Sequence, residues 1–380
     1  MNSDGPILIL TASAGAGHLM AAQAVREALR TRLPQSSIEV LDVLQATSAF
    51  FRALYAKGYL GLVRHAPSAM GMLYEATDRP NRHARDALRR GFQNLNARRT
   101  AEYLRSRRPR LIVNTHFLPA EIVGCLRRCG RLRCPQATVT TDFETHRLWV
   151  QPPTERYYTA TAEGKAYLET WGVDPASVVV SGIPVRAAFN APLDRAAFRR
   201  QQGLDCGRPL VLLLCGGFGV GPAETLLAEL LAIGEDAQAA AIVGRNPALY
   251  RRLQAQAARS HRAVRVIGYT DQMHAWMQAA DLVVTKPGGL TAAEALVCGL
   301  PTVIVSPIPG QESRNSDYLL EHGAAIKVNN LRLLRYRVGR LLAERPRLEA
   351  LRAAALSIAR PCAAKYIADD LLALLDRQAR

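Results

Sequence analysis

The segment Thr285-Lys286-Pro287-Gly288-Gly289-Leu290-Thr291 follows the apolar run Leu282-Val283-Val284 and opens a stretch rich in alanine and leucine. Without a Cβ, Gly288 and Gly289 let the backbone turn sharply and approach a ligand. A helix that begins there aims free N–H groups and the positive end of its dipole at an anion. One helical turn on, Glu294 can take hydroxyls, and Gln311-Glu312 follows the next apolar run. A diphosphate, a ribose and a sugar each find a partner, which is the outline of a nucleotide-sugar site.

Four other segments offer chemistry. Gly15-Ala16-Gly17-His18 follows the apolar run Ile7–Leu10. In open α/β sheets ligands bind at the carboxyl ends of strands, which directs His18 to a cleft. With an ordinary pKa near 6.5 its imidazole can accept a proton from an attacking hydroxyl. The G-x-G spacing lacks a third glycine, which disfavours a dinucleotide fingerprint. Gly216, Gly217, Gly219 and Gly221 crowd the loop from Cys215 to Pro222, which can wrap a diphosphate. No Lys-Ser/Thr pair follows, so this is not a P-loop. Asp142, in Thr140-Thr141-Asp142-Phe143, reads equally as a turn cap or as a carboxylate orienting the base or the acceptor. Arg186, in Gly182-Ile183-Pro184-Val185-Arg186, carries a fork of donors suited to phosphate. No D-x-D pair stands near the diphosphate loops. The expectation is metal-independent chemistry, with backbone N–H groups, a helix dipole and Arg186 meeting the leaving-group charge.

Such residues need strands that end at one edge. Apolar runs predict strands at Ile7–Leu10, Ile38–Leu41, Leu111–Val113, Ala137–Thr140, Tyr157–Thr159 and Val178–Ser181. Helical patterns fall at Leu19–Leu33, Arg85–Arg105, Pro119–Arg128 and Glu163–Trp171. The second half repeats the scheme, with strands expected at Leu210–Leu214, Ala240–Val243, Val264–Ile267, Leu282–Val284 and Thr302–Val305. Short apolar strands alternating with helices imply parallel sheets covered on both faces. At 380 residues the chain exceeds one core. The fold class is therefore α/β, two Rossmann-like doubly wound domains facing a cleft. They span 1–185 and 186–360, with an amphipathic helix over 361–380 expected to pack back on the first.

Apolar residues make up 49% of the chain, and none of their runs reaches the roughly 18 residues of a spanning helix. Seven cysteines, without a paired C-x-x-C, outline neither a disulfide framework nor a zinc set. The formal charge is +17, and residues 50–134 hold 18 Lys and Arg against 5 Asp and Glu. No helix-turn-helix, zinc finger or ribonucleoprotein motif accompanies that charge, so nucleic acid is not the expected partner. Phe51, Tyr55 and Tyr59 interleave with Arg64 and Arg82 in this region. Apolar anchors among basic residues suit an anionic membrane surface. The expected location is cytoplasmic, peripherally on the inner face of the membrane.

In combination and order, these motifs resemble glycosyltransferase family 28, in its monogalactosyldiacylglycerol synthase and processive diacylglycerol glucosyltransferase group. The match runs from Gly15-Ala16-Gly17-His18 to Pro309-Gly310-Gln311-Glu312, nearly the whole chain. The resemblance implies a GT-B fold, an N-terminal acceptor domain and a C-terminal donor domain. It implies inverting transfer from UDP-glucose or UDP-galactose to diacylglycerol, with the UDP-sugar as substrate and no cofactor. By position, His18 looks like the base, with Gly17 beside it in the acceptor site. Gly216, Gly217, Gly288 and Gly289 look like diphosphate ligands, and Glu294 like the ribose ligand. Gln311 and Glu312 look like partners of the sugar, and the backbone of Gly268-Tyr269-Thr270, backed by Met273, like the uracil site. Phe218 departs from the small or polar residue common at its place. A polyprenyl-linked acceptor, a sugar 2-epimerase and a non-catalytic anionic-lipid binder stand as alternatives.

Overall fold

The computed structural model of the chain describes residues 5–13, 16–45, 67–78, 100–216, 221–234, 237–260 and 263–379. Contacts group the chain into two compact units. The first takes residues 1–186, 309–311 and 362–380, and the second takes 187–308 and 312–361. Arg186 therefore closes the first unit, whereas the sequence reading opens the second domain with it.

Six parallel strands make the first sheet: β1 (Ile7–Thr11), β2 (Ile38–Asp42), β3 (Leu111–Asn114), β4 (Gln136–Val139), β5 (Arg156–Thr159) and β6 (Val178–Val180), in the order β2-β1-β3-β4-β5-β6. Successive side chains of a strand point to opposite faces. Ile7 and Ile9 enter one core with Val25 and Leu111, while Leu8 and Leu10 enter another with Leu104 and Ile112. A strand covered on both faces must be apolar at nearly every position, which is why β1 reads as a continuous run. The final helix, Ala363–Ala379, completes the first of these cores with Ile367, Leu371 and Leu374. Tyr158 also donates its hydroxyl to Asp370 on that helix at 2.8 Å.

The second sheet has the order β12-β11-β10-β7-β8-β9. Its strands are β7 (Leu210–Leu214), β8 (Gln238–Ile242), β9 (Val264–Ile267), β10 (Leu282–Thr285), β11 (Thr302–Val305) and β12 (Ala325–Val328). Val211 and Leu213 face one core, and Leu210, Leu212 and Leu214 face the other. Strand β12 is absent from the sequence expectation. Its four residues carry Lys327 and sit at the sheet edge, where a short, partly polar strand is tolerated. Both sheets reverse their winding once, between β1 and β3 and between β7 and β10. Those reversals open crevices at the carboxyl ends of the strands, where ligands bind in such folds.

Candidate active site

In the first unit, the reversal point is filled by His18, in the first turn of the Ala16–Arg32 helix. His18 Nδ1 lies 3.0 Å from the Thr115 carbonyl oxygen and 2.9 Å from Thr141 Oγ1. A carbonyl only accepts, so Nδ1 carries the ring hydrogen and Nε2 holds the lone pair. Thr115 is itself held: its N–H donates to the Leu10 carbonyl at 2.9 Å, and its hydroxyl to the His18 carbonyl at 3.0 Å. The His116 ring meets His18 edge-on with centroids 4.5 Å apart, and the Trp149 ring lies at 6.4 Å. His116 Nδ1 accepts from the Leu118 N–H at 3.0 Å and so caps the Phe117–Arg128 helix.

Burial among these groups lowers the His18 pKa from 6.5 to about 4, against a smaller upward pull from the Thr115 carbonyl. Burial, and then the neighbouring His18, hold His116 well below its ordinary value as well. The ordinary pKa assumed from sequence is thus corrected: His18 is neutral through the physiological range. Its side-chain partner is Thr141, whereas the sequence reading offered Asp142 for that task. Asp142 Oδ1 instead accepts from Gln311 Nε2 at 3.3 Å, within the first unit, which takes in Pro309–Gln311. Arg186 turns back onto the Ala16–Arg32 helix, its Nε donating to Glu27 at 2.9 Å. A carboxylate within reach holds the guanidinium there, and the phosphate role expected of Arg186 is not what this pairing serves.

In the second unit, β7 and β10 pair in register, Leu213 beside Val284, so their exit loops are neighbours. The helix Gly289–Val297 starts at Gly288, φ −62°, without a side-chain cap on its N–H groups. Among the described residues, a Cβ added at Gly288, at Gly216 or at Gly268 would meet nothing within 4 Å. No described residue therefore crowds the helix terminus. Gly221, at φ +129°, brings the β7 loop against Lys286: a Cβ there would stand 3.3 Å from Lys286 Cε and 3.7 Å from Nζ. Lys286 is half-buried and makes no ion pair among the described residues. A cation, uncapped N–H groups and glycine backbone converge, a combination that suits a diphosphate.

One turn further along that helix Glu294 is buried, 8% exposed. Glu312 Oε2 accepts from the Ile308 N–H at 2.7 Å and so closes the loop after β11. After β9, Tyr269 is 53% exposed, with the Arg245 guanidinium 4.5 Å above its ring. Thr270 Oγ1 caps the next turn by accepting from Gln272 N–H at 3.1 Å, and half-buried Met273 packs on the core behind. Gly17 lies in the first turn of the His18 helix. Gly15, Gly217 and Phe218, with Phe51, Tyr55, Tyr59, Arg64 and Arg82, lie outside the described residues. Among the described residues no group of three His, Cys, Asp or Glu is placed to hold a metal ion.

Sequence reasoning missed Lys286, Thr115 and Thr141. Lys286 stood inside a quoted motif, and a basic residue directly before a glycine helix start was the available signal. Thr141 likewise stood inside the quoted Thr140-Thr141-Asp142 segment, where the carboxylate drew the attention, and nothing in the sequence pointed to Thr115, which acts through a contact made only by folding.

Two family profiles divide the chain. Monogalactosyldiacylglycerol (MGDG) synthase matches residues 18–185, and the glycosyltransferase family 28 C-terminal domain matches 223–364. The chain is 30% identical over 320 residues to a processive diacylglycerol beta-glucosyltransferase of Staphylococcus aureus (strain MRSA252), over 83% of this chain and 79% of that protein. Among solved structures it is similar to S. aureus MnaA with UDP, at TM-score 0.63 and 14% identity over 98% of this chain and 97% of that one. MurG of Acinetobacter baumannii aligns at TM-score 0.56 and 16% identity, over 96% and 98% of the two chains. At such identities the structural likeness carries the fold alone, and with the two doubly wound sheets that fold is GT-B. This chain belongs to glycosyltransferase family 28, in the group of the monogalactosyldiacylglycerol synthases and processive diacylglycerol glucosyltransferases.

Proposed function

We propose that this glycosyltransferase moves a hexose, glucose or galactose, from its UDP form to the free hydroxyl of diacylglycerol, with inversion at C1. The observation that carries the proposal is the neutral His18, Nδ1 held by Thr115, in a chain matching a diacylglycerol glucosyltransferase over 79% of that protein. The acceptor oxygen bonds to C1 of the hexose as the bond from C1 to the diphosphate oxygen breaks. Its proton passes to His18 Nε2. Charge growing on the departing UDP is met by Lys286 and by the N–H groups at Gly288 and Gly289. Glu294 takes the ribose, Gln311 and Glu312 take hexose hydroxyls, and the backbone of Gly268-Tyr269-Thr270 pairs with uracil. UDP-hexoses are α-linked and the relative is named a beta-glucosyltransferase, so a single displacement accounts for both.

The same reading puts the enzyme at an anionic membrane surface on the cytoplasmic side. No described helix is long and apolar enough to cross a membrane. Met72, 70% exposed, and Leu73, 46% exposed, on the helix Pro67–Asp78 are apolar side chains of the kind an interface takes up. Purified protein given radiolabelled UDP-glucose or UDP-galactose with diacylglycerol vesicles is expected to form a β-hexosyldiacylglycerol, identified by chromatography and mass spectrometry. Label appearing only on a polyprenyl-linked saccharide, with none on diacylglycerol from either donor, defeats the proposal.

A further inference from the structure

We infer that Thr141 is a positioning residue for His18, holding the ring plane and supporting the imidazolium that forms when Nε2 takes the acceptor proton. The inference rests on the reading of His18 as the base. Three strand exits converge on this ring: His18 follows β1, Thr115 follows β3 and Thr141 follows β4, and these strands are neighbours in the sheet. Thr115 decides which nitrogen is protonated, because its carbonyl, 3.0 Å from Nδ1, would set lone pair against lone pair with a bare nitrogen. With Nδ1–H so assigned, Thr141 Oγ1 at 2.9 Å is left to accept from the same hydrogen.

One acceptor leaves an imidazole free to pivot about that bond. Two acceptors, brought from different strands, define the plane of the ring and so the in-plane direction of the Nε2 lone pair. A half-turn about Cβ–Cγ would replace Nδ1 by a carbon and leave both oxygens facing it. Thr141 is 4% exposed, so water cannot readily replace the lost partner. As the acceptor proton arrives at Nε2, the ring becomes cationic and its Nδ1–H bonds become charge-assisted, hence stronger. The gain exists in the transition state and is smaller in the ground state, so it belongs to kcat. Among the described residues a backbone carbonyl and a neutral hydroxyl, and no carboxylate, perform this task on Nδ1.

The test compares wild type, Thr141→Val, Thr141→Ser and His18→Ala in hexose transfer to diacylglycerol, with UDP affinity by calorimetry. Thr141→Val keeps the shape and removes the hydroxyl. It is expected to lower kcat about 5- to 30-fold, with donor KM and UDP affinity unchanged within about twofold, and Thr141→Ser is expected to restore most of the rate. A Thr141→Val rate within twofold of wild type, beside a His18→Ala loss of 100-fold or more, overturns the role of Thr141 while sparing His18. A His18→Ala rate within threefold of wild type overturns the base itself, and this inference with it. Nitrogen-15 spectra of histidine-labelled wild type give a check that needs no variant. Nδ1 of His18 should resonate as a protonated nitrogen at pH 7, and a bare-nitrogen shift there overturns the assignment.

Discussion

Replacing His18 by glutamine removes the one described side chain whose titration is tied to the proposed proton transfer, and the structure sets where that titration falls. Burial brings the His18 pKa to about 4, below the roughly 6.5 of a free imidazole. The base works in its neutral form. At pH 5.5 a pKa near 4 leaves about 97% of it neutral, whereas one near 6.5 would leave about a tenth. Wild-type kcat/KM should therefore hold nearly level from pH 7.5 to 5.5, read as labelled hexose transferred to diacylglycerol at low substrate. The same shift bears on stability. The unfolded chain binds a proton on this imidazole below about pH 6.5 and the folded chain does not until about pH 4. Its stabilising contribution is thus full above 6.5 and lost as pH falls through that window, about 2 kcal/mol between pH 7 and 5. That figure is an upper value, because His18 keeps part of its surface exposed. His18→Gln should flatten the pH dependence of urea unfolding by up to that amount, leaving the slope from His116, which burial also holds well below its ordinary value. A tenfold fall in wild-type kcat/KM by pH 5.5, with unfolding slopes equal in the two proteins, refutes the reasoning from burial.

Three further outcomes follow from the second unit. Lys286→Ala should lower kcat/KM roughly 10²-fold and weaken UDP binding, with Lys286→Arg recovering part; a change below threefold removes Lys286 from the charge ledger of the leaving group. Gly288 has an ordinary φ of −62°, and no described residue lies within 4 Å of a Cβ added there, so Gly288→Ala should keep Tm within about 2 °C yet weaken UDP binding at least tenfold. Equal affinity would mean that no ligand approaches this backbone. Turnover should survive EDTA, because Lys286 and the helix N-terminus can meet the diphosphate charge. Loss of activity in EDTA with recovery in manganese would overturn that.

Much of the fold was legible because a doubly wound sheet imposes a local pattern. Runs such as Ile7–Leu10 and Leu210–Leu214 are apolar at successive positions, since each face of the strand meets a different core. Strand β12 escaped because an edge position relaxes that demand, and Lys327 breaks the run. The glycine loops were legible for a similar local reason: Gly216 and Gly221 adopt positive φ, which other residues rarely do. Arg186 was misplaced because a fork of donors says nothing of which acid it will find. Glu27 met it first, from a helix 159 residues earlier in the chain.

Alternating apolar runs, glycine exits and the order of motifs were enough to establish two parallel sheets and a nucleotide-sugar chemistry. The protonation state of His18 and the hold on its ring were decided by tertiary structure alone. Its partners stand 97 and 123 residues away, at Thr115 and Thr141, and meet it only because β1, β3 and β4 lie side by side. Desolvation depends on everything packed around a group, so no window of sequence contains it.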